Sequence, residues 1–239
     1  MKKIFKIISL LTFTFYSTFV YSNLARAVEP SSYINTIYAV NLCGPGSSLT
    51  ACVGPVVLGS TTAGTTFDLG SVTAGASAGN MGNLSAAVSG TTYSFAQVIL
   101  SRAFTVTGEA GAAGGSNRCR TETDNEFDVS NPSVVLGAND TAAAESQAIG
   151  IPSGTISSNM IGTTSLTGLD GADNSSGNGN IADAEPRVKF RFALTAPITI
   201  VQGKLPTFTI AFDLSDALTF GGSCAATPSA PSVTASFSN

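Results

Sequence analysis

The stretch "RVKFRFAL", residues 187–194, sets Val188, Phe190, Phe192 and Leu194 against Arg187, Lys189 and Arg191. A period of two puts the apolar side chains on one face of a strand and the cations on the other, so the segment reads as a half-buried antiparallel strand. Downstream, "TFTIAFDL" (207–214) opposes Phe208, Ile210, Phe212 and Leu214 to Thr207, Thr209, Ala211 and Asp213, and "PSVTASFSN" closes the chain in the same rhythm. Upstream, "SSYINTIYAVNLC" (31–43) gives Ile34, Thr36, Tyr38, Val40 and Leu42 to one face and Tyr33, Asn35, Ile37, Ala39 and Asn41 to the other. "VGPVVLG" (53–59) and "TTFDLGSVT" (65–73) are shorter strand signals bounded by glycine. In "TTYSFAQVILSRAFTVTG" (91–108), Tyr93, Phe95 and Ile99 share one parity while Phe104 and Val106 take the other, which predicts a bulge or bend near Ser101–Arg102. Many short alternating strands with Gly- and Pro-rich joints predict an all-β chain folded as an antiparallel β-sandwich.

The first 27 residues read as a cleaved secretion signal: Lys2, Lys3 and Lys6, then the apolar run "IISLLTFTFYSTFVYS", then Ala25 and Ala27 flanking a cleavage point before Val28. Removing it takes four of the 11 basic residues and none of the 15 acidic ones, leaving 7 − 15 = −8. That balance excludes a nucleic-acid footprint and disfavours anionic membrane surfaces. No second apolar run is long enough to span a bilayer, so no membrane insertion is expected after signal removal. The expected location is secreted: periplasm, cell surface or extracellular. Residues 28–239 are expected to form one domain in which 109–186 is a loop-rich insertion. Within it "PSVVLG" (132–137) and "GTISSNMIGTTSLTGL" (154–169) supply minor strands, and "NDTAAAESQAIG" (139–150) a helical turn or two.

Cys43, Cys52, Cys119 and Cys224 are an even number in an exported chain, and disulfides are the default there. Of three connectivities, Cys43–Cys52 closing the loop "GPGSSLTA" is favoured, with Cys119–Cys224 as a long-range staple.

Candidate chemistry is sparse. The chain has no His and no Trp, which removes Ser-His-Asp and Cys-His catalysis and His-ligated metals. "AGAAGG" (110–115) lacks the Lys and context of a phosphate loop, and no enzyme activity is expected. "NSSGNGNIADAE" (174–185) resembles an EF-hand or dockerin-type calcium loop over those twelve residues. On that template Asn174, Ser176, Asn178, Asn180 and Glu185 are the candidate metal ligands, with Gly179 at the turn and Ile181 at the apolar position. Asn stands where a carboxylate is expected, so a polar loop is the simpler expectation and calcium the only cofactor entertained. In "RCRTETDNEFD" (118–128), Glu122, Asp124, Glu126 and Asp128 fall at every second position beside Arg118 and Arg120. A solvated charged edge or loop is expected there. Arg187, Lys189 and Arg191 are expected on a wet strand face, or facing an acidic partner.

The order of features (signal, apolar strand at the mature start, disulfide-stapled sandwich, alternating last strand) is similar to that of Gram-negative fimbrial subunits. The resemblance implies an immunoglobulin-like, fimbrial-like sandwich whose N-terminal strand completes a neighbour's sheet. The assembly strand would then be the one carrying Ile34, Thr36, Tyr38, Val40 and Leu42, with Cys43 beginning the body. The expected function is a secreted structural or surface protein that forms fibres by associating with itself or another surface protein. The alternative is a stand-alone binding module, an adhesin or calcium-assisted carbohydrate binder.

Overall fold

The computed structural model describes residues 26–72, 82–111, 118–123, 141–151, 154–155, 165–169, 180–181, 184–204, 206–221, 224, 226–228 and 231–238. The strands in chain order are β1 (Arg26–Val28), β2 (Ser32–Cys43), β3 (Val56–Asp68), β4 (Thr92–Ser101), β5 (Ala103–Thr107), β6 (Glu109–Ala110), β7 (Cys119–Arg120) and β8 (Gln147–Gly150). They continue with β9 (Gly154–Thr155), β10 (Ser165–Leu169), β11 (Asn180–Ile181), β12 (Arg187–Thr199), β13 (Thr207–Asp213), β14 (Leu218–Phe220), β15 (Ala226–Pro228) and β16 (Ser232–Ser238). A single 3-10 turn, Leu84–Ala86, is the one helical element among the described residues. Every described pairing is antiparallel, so the chain is all-β as the alternation predicts.

One large sheet organises the molecule. β2 lies inside it, with β3 along one edge and β4 followed by β5 along the other. Outside β4 runs β12 and then β10; outside β5 runs β8. The break between β4 and β5 is the bend expected at Ser101–Arg102: Ile37 pairs with Leu100 and Ile34 with Thr105, five steps on one strand against three on the other. Arg102, 5% exposed, fills the seam this opens, donating from Nε to the Ile151 carbonyl at 2.6 Å and from Nη1 to the Glu185 carbonyl at 3.4 Å.

The alternation of β12 survives into the core. Val188, Phe190, Phe192 and Leu194 are buried, and they meet Val40, Leu42, Ala96 and Val98 on the same face of the sheet. Against this face packs a second layer, the β13–β16 pair, through Phe208, Ile210, Ala235 and Phe237. Phe208 stacks on its cross-strand partner Phe237 at 4.8 Å, and Thr195 Oγ1 donates to the Ala235 carbonyl at 2.9 Å. A second cluster continues the core toward the β5 end: Tyr33 stacks on Phe104 at 5.0 Å, joined by Val106, Ile149, Leu214, Leu218 and Phe220. The disulfide Cys119–Cys224 sits in this second cluster, while Cys43–Cys52 closes the loop after β2.

Three expectations are corrected. The face Ile34–Thr36–Tyr38–Val40–Leu42 is split by a bulge between Ile37 and Ala39, so Ile37, Val40 and Leu42 point into the core while Tyr38 packs with Ala39 and Ile99 in a separate cluster. One extra residue reverses which parity is buried, and the core takes the larger aliphatics on each side of it. The two signals 53–59 and 65–73 form one strand, β3, joined across a bulge where Ile37 pairs with Thr65 but Ala39 pairs with Ser60. Gly64 supplies the turn of that bulge at φ +77, and a Cβ there would collide with Thr36 Cγ2 and lie 3.0 Å from Tyr38 Cε1. The helical turn expected within 139–150 is absent from its described part: Gln147–Gly150 is strand β8, which buries Ile149 opposite Phe104. "PSVVLG" lies outside the described residues.

Candidate assembly and binding surfaces

The opening strand β2 is zipped on both sides within its own chain. Its Ile34–Leu42 span pairs with β3, Ile37–Cys43 pairs with β4, and Ser32–Ile34 pairs with β5. Leu42 and Cys43 are fully buried. Asp68 at the end of β3 clamps the start of β2, accepting from the Tyr33 N–H at 2.9 Å and the Ser32 hydroxyl at 3.0 Å. The same carboxylate takes the Gly70 and Ser71 N–H groups at 3.1 and 3.3 Å. Partial desolvation pushes this carboxyl up, but the four donors together bring it below the usual Asp range. Strand β1 crosses the expected cleavage point, pairing Arg26, Ala27 and Val28 with β14; cleavage after Ala27 would leave Val28 as its only residue.

The calcium-loop candidates divide. Asn174, Ser176 and Asn178 lie outside the described residues. Asn180 begins β11, where its backbone pairs with Thr155, and Ile181 is 1% exposed in the main core. Glu185 is buried, with its carbonyl beside Arg102. Among the described residues no three His, Cys, Asp or Glu side chains come together as a metal site.

Of the four carboxylates in the acidic stretch only Glu122 is described, half-buried in the loop after β7, and it is the arginines beside it that leave the solvent. Arg118 and Arg120 are buried, pairing with Glu109 and, at 2.7 Å, with Glu122. Between them Cys119 is bridged to Cys224, and Thr121 is fully buried, its hydroxyl donating to the Glu145 carbonyl at 2.6 Å. The reason is local: the disulfide draws this strand into the second core cluster, and the arginines enter only with hydrogen-bonding partners. Asp124, Glu126 and Asp128 lie outside the described residues.

The basic face of β12 is corrected at Arg191. Arg187 lies over the Tyr38 ring, 3.8 Å from its centroid, and reaches the Thr62 carbonyl at 3.4 Å. Arg191 is 4% exposed, not wet. Its guanidinium donates to Gln97 Oε1 from Nη2 at 2.9 Å and from Nε at 3.3 Å, and to the Leu49 carbonyl from Nη1 at 2.6 Å. Leu49 belongs to the Cys43–Cys52 loop, so this cation ties that loop down onto the sheet. The register makes a polar row of Asn41, Gln97 and Arg191 across β2, β4 and β12, and Asn41 Oδ1 is buried with no hydrogen-bond partner. Burial lowers the Arg191 pKa from its usual value, since the partners facing it are neutral. The sequence signal for this row is Gln97 interrupting the apolar run "FAQVIL"; period-two reading had no reason to bury it.

Among the described residues no helix is long and apolar enough to cross a membrane. No protein-family model, curated protein or solved structure matches the chain.

Proposed function

We propose that the chain is an exported structural or surface protein that acts by associating with copies of itself or with another surface protein. The observation that carries this reading is how the positive charge is used. Of the seven basic residues left after signal removal, Arg102, Arg118, Arg120 and Arg191 are at most 8% exposed, where they join strands and loops. Together with two disulfides, that describes a chain whose unusual residues serve durability. A structural protein outside the cell needs that, and a ligand-binding surface would instead present its charge. The doubly paired β2 favours association through finished surfaces over donation of the Ile34–Leu42 strand, because donation must first open two ladders.

Negative-stain electron microscopy of the oxidised chain 28–239 tests this. Filaments or ordered rows from natively purified protein support surface association. Filaments that appear only after unfolding and refolding indicate exchange of β2 instead. Separate particles of single-chain size under both conditions replace the structural reading with the stand-alone binding module.

A further inference from the structure

We infer that one end of the large sheet is a docking surface for a second copy of this chain, an inference that rests on the self-association reading above. β2 finishes, β3 and β4 begin and β12 finishes at this end, so it carries the loop 44–55 and the turns 88–91 and 200–204. The two turns are fastened together: the Gly90 N–H donates to the Ile200 carbonyl at 2.8 Å and the Ile200 N–H to the Thr91 carbonyl at 3.0 Å.

Among the described residues the exposed large hydrophobic side chains are Val53, Val57, Val88 and Val201, between 48% and 57% exposed. All four belong to this end. Scattered exposed valines are ordinary on a protein surface; their confinement to one end is not.

Charge is distributed in the opposite sense. Residues 44–67, 69–101 and 192–203 contain no Asp, Glu, Lys or Arg. The described carboxylates all belong to the far half: Glu29 before β2, Asp68 at the end of β3, Glu109, Glu122 and Glu145 around β6–β8, Glu185 before β12, Asp213 at the end of β13 and Asp216 just after it. Arg191 approaches the near end but is covered by the disulfide loop, which leaves Lys204 as the one exposed charge at this end among the described residues.

After signal removal the chain carries a net charge of 7 − 15 = −8 and repels its copies from most directions. Two copies meeting end to end through these loops oppose uncharged backbone, Ser, Thr and valine, and keep the described carboxylates apart. The charge asymmetry therefore selects a second copy, meeting like end to like end, as the occupant. Association should strengthen with added salt, because screening removes residual repulsion without weakening apolar contact.

Sedimentation equilibrium of the oxidised chain 28–239 over a concentration series is the test, at low salt and in sodium chloride. A V88E/V201E variant places two carboxylates at the near end, and an A103E/A148E variant adds the same charge at exposed positions on β5 and β8. Circular dichroism checks that both remain folded. The expected result is a dimer tightened by salt, weakened roughly tenfold or more by V88E/V201E, and little changed by A103E/A148E. If V88E/V201E dimerises as the unaltered chain does, docking through this end is overturned while self-association stands. If the unaltered chain is monomeric throughout, the self-association reading falls and this inference with it.

Discussion

Arg191 shows how one side chain can hold a loop in place. Its guanidinium is desolvated, and the partners facing it are the neutral Gln97 Oε1 and the Leu49 carbonyl. Two opposing effects meet when it is replaced. Removing the cation relieves the cost of burying charge, and removing the donors leaves Gln97 and Leu49 to find new partners. Leu49 is only half-buried and can turn to water, so the loss falls mainly on Gln97. Arg191→Met should therefore cost about 1–3 kcal/mol, a single lost set of buried hydrogen bonds. Arg191→Lys should cost more than Met despite keeping the charge, because a point charge cannot make the fork and remains buried. Urea unfolding of the three proteins gives the order directly. Hydrogen exchange should quicken in residues 44–53 in both variants while the β13–β16 amides stay protected; equal stability of Lys and Arg would sink the tether.

At the scale of elements, β2 is secured at one end by a disulfide and at the other by a carboxylate. Asp68 ionised accepts four donors from the start of β2 and the turn after β3. Its folded-state pKa is depressed, so its contribution is fully present above the unfolded value of about 3.9 and is lost as pH falls through the lower folded value. Asp68→Asn keeps one accepting oxygen but cannot titrate. The variant should be less stable than the unaltered chain at neutral pH, and the gap between their melting curves should narrow steadily below about pH 4. A gap independent of pH would show that the carboxylate charge is not what fastens the strand. Asp68 itself was visible in the sequence only as a polar residue ending "TTFD". The strands β13 and β16 were legible because alternation there matches one face toward the core and one wet face, and in β12 it marked the core face correctly although Arg191 opposite is covered. β2 was legible as a strand but not in its facing, since the bulge at Tyr38 leaves no mark in a pattern where both parities carry large side chains. Gln97 and Arg191 were misplaced for a related reason: periodicity assigns a face to each residue but cannot see a distant disulfide loop folding over that face.

For the molecule as a whole, the two disulfides act at different lengths, and their removal should differ accordingly. Cys119–Cys224 closes a separation of 105 residues and Cys43–Cys52 one of 9. On the chain-entropy account the long bridge limits the unfolded ensemble by about 4 to 5 kcal/mol and the short one by less than about 3 kcal/mol. The surroundings widen that difference. The long bridge lies buried in the second core cluster and anchors the strand that carries Arg118 and Arg120, so its loss also loosens the ion pairs of these two buried arginines. The short bridge leaves Arg191 still holding Leu49, which keeps its loop near the sheet. Cys119→Ser with Cys224→Ser should therefore unfold at markedly lower urea than Cys43→Ser with Cys52→Ser, with the larger change in m-value as well, because the unfolded chain is freed over a longer span. The near end should react in the other order. Opening the Cys43–Cys52 loop loosens the segment that carries Val53, so this variant should stay folded yet self-associate more weakly than the unaltered chain. If both variants keep the same association constant, the disulfide loop takes no part in the contact, and the docking surface shrinks to the paired turns at Val88 and Val201.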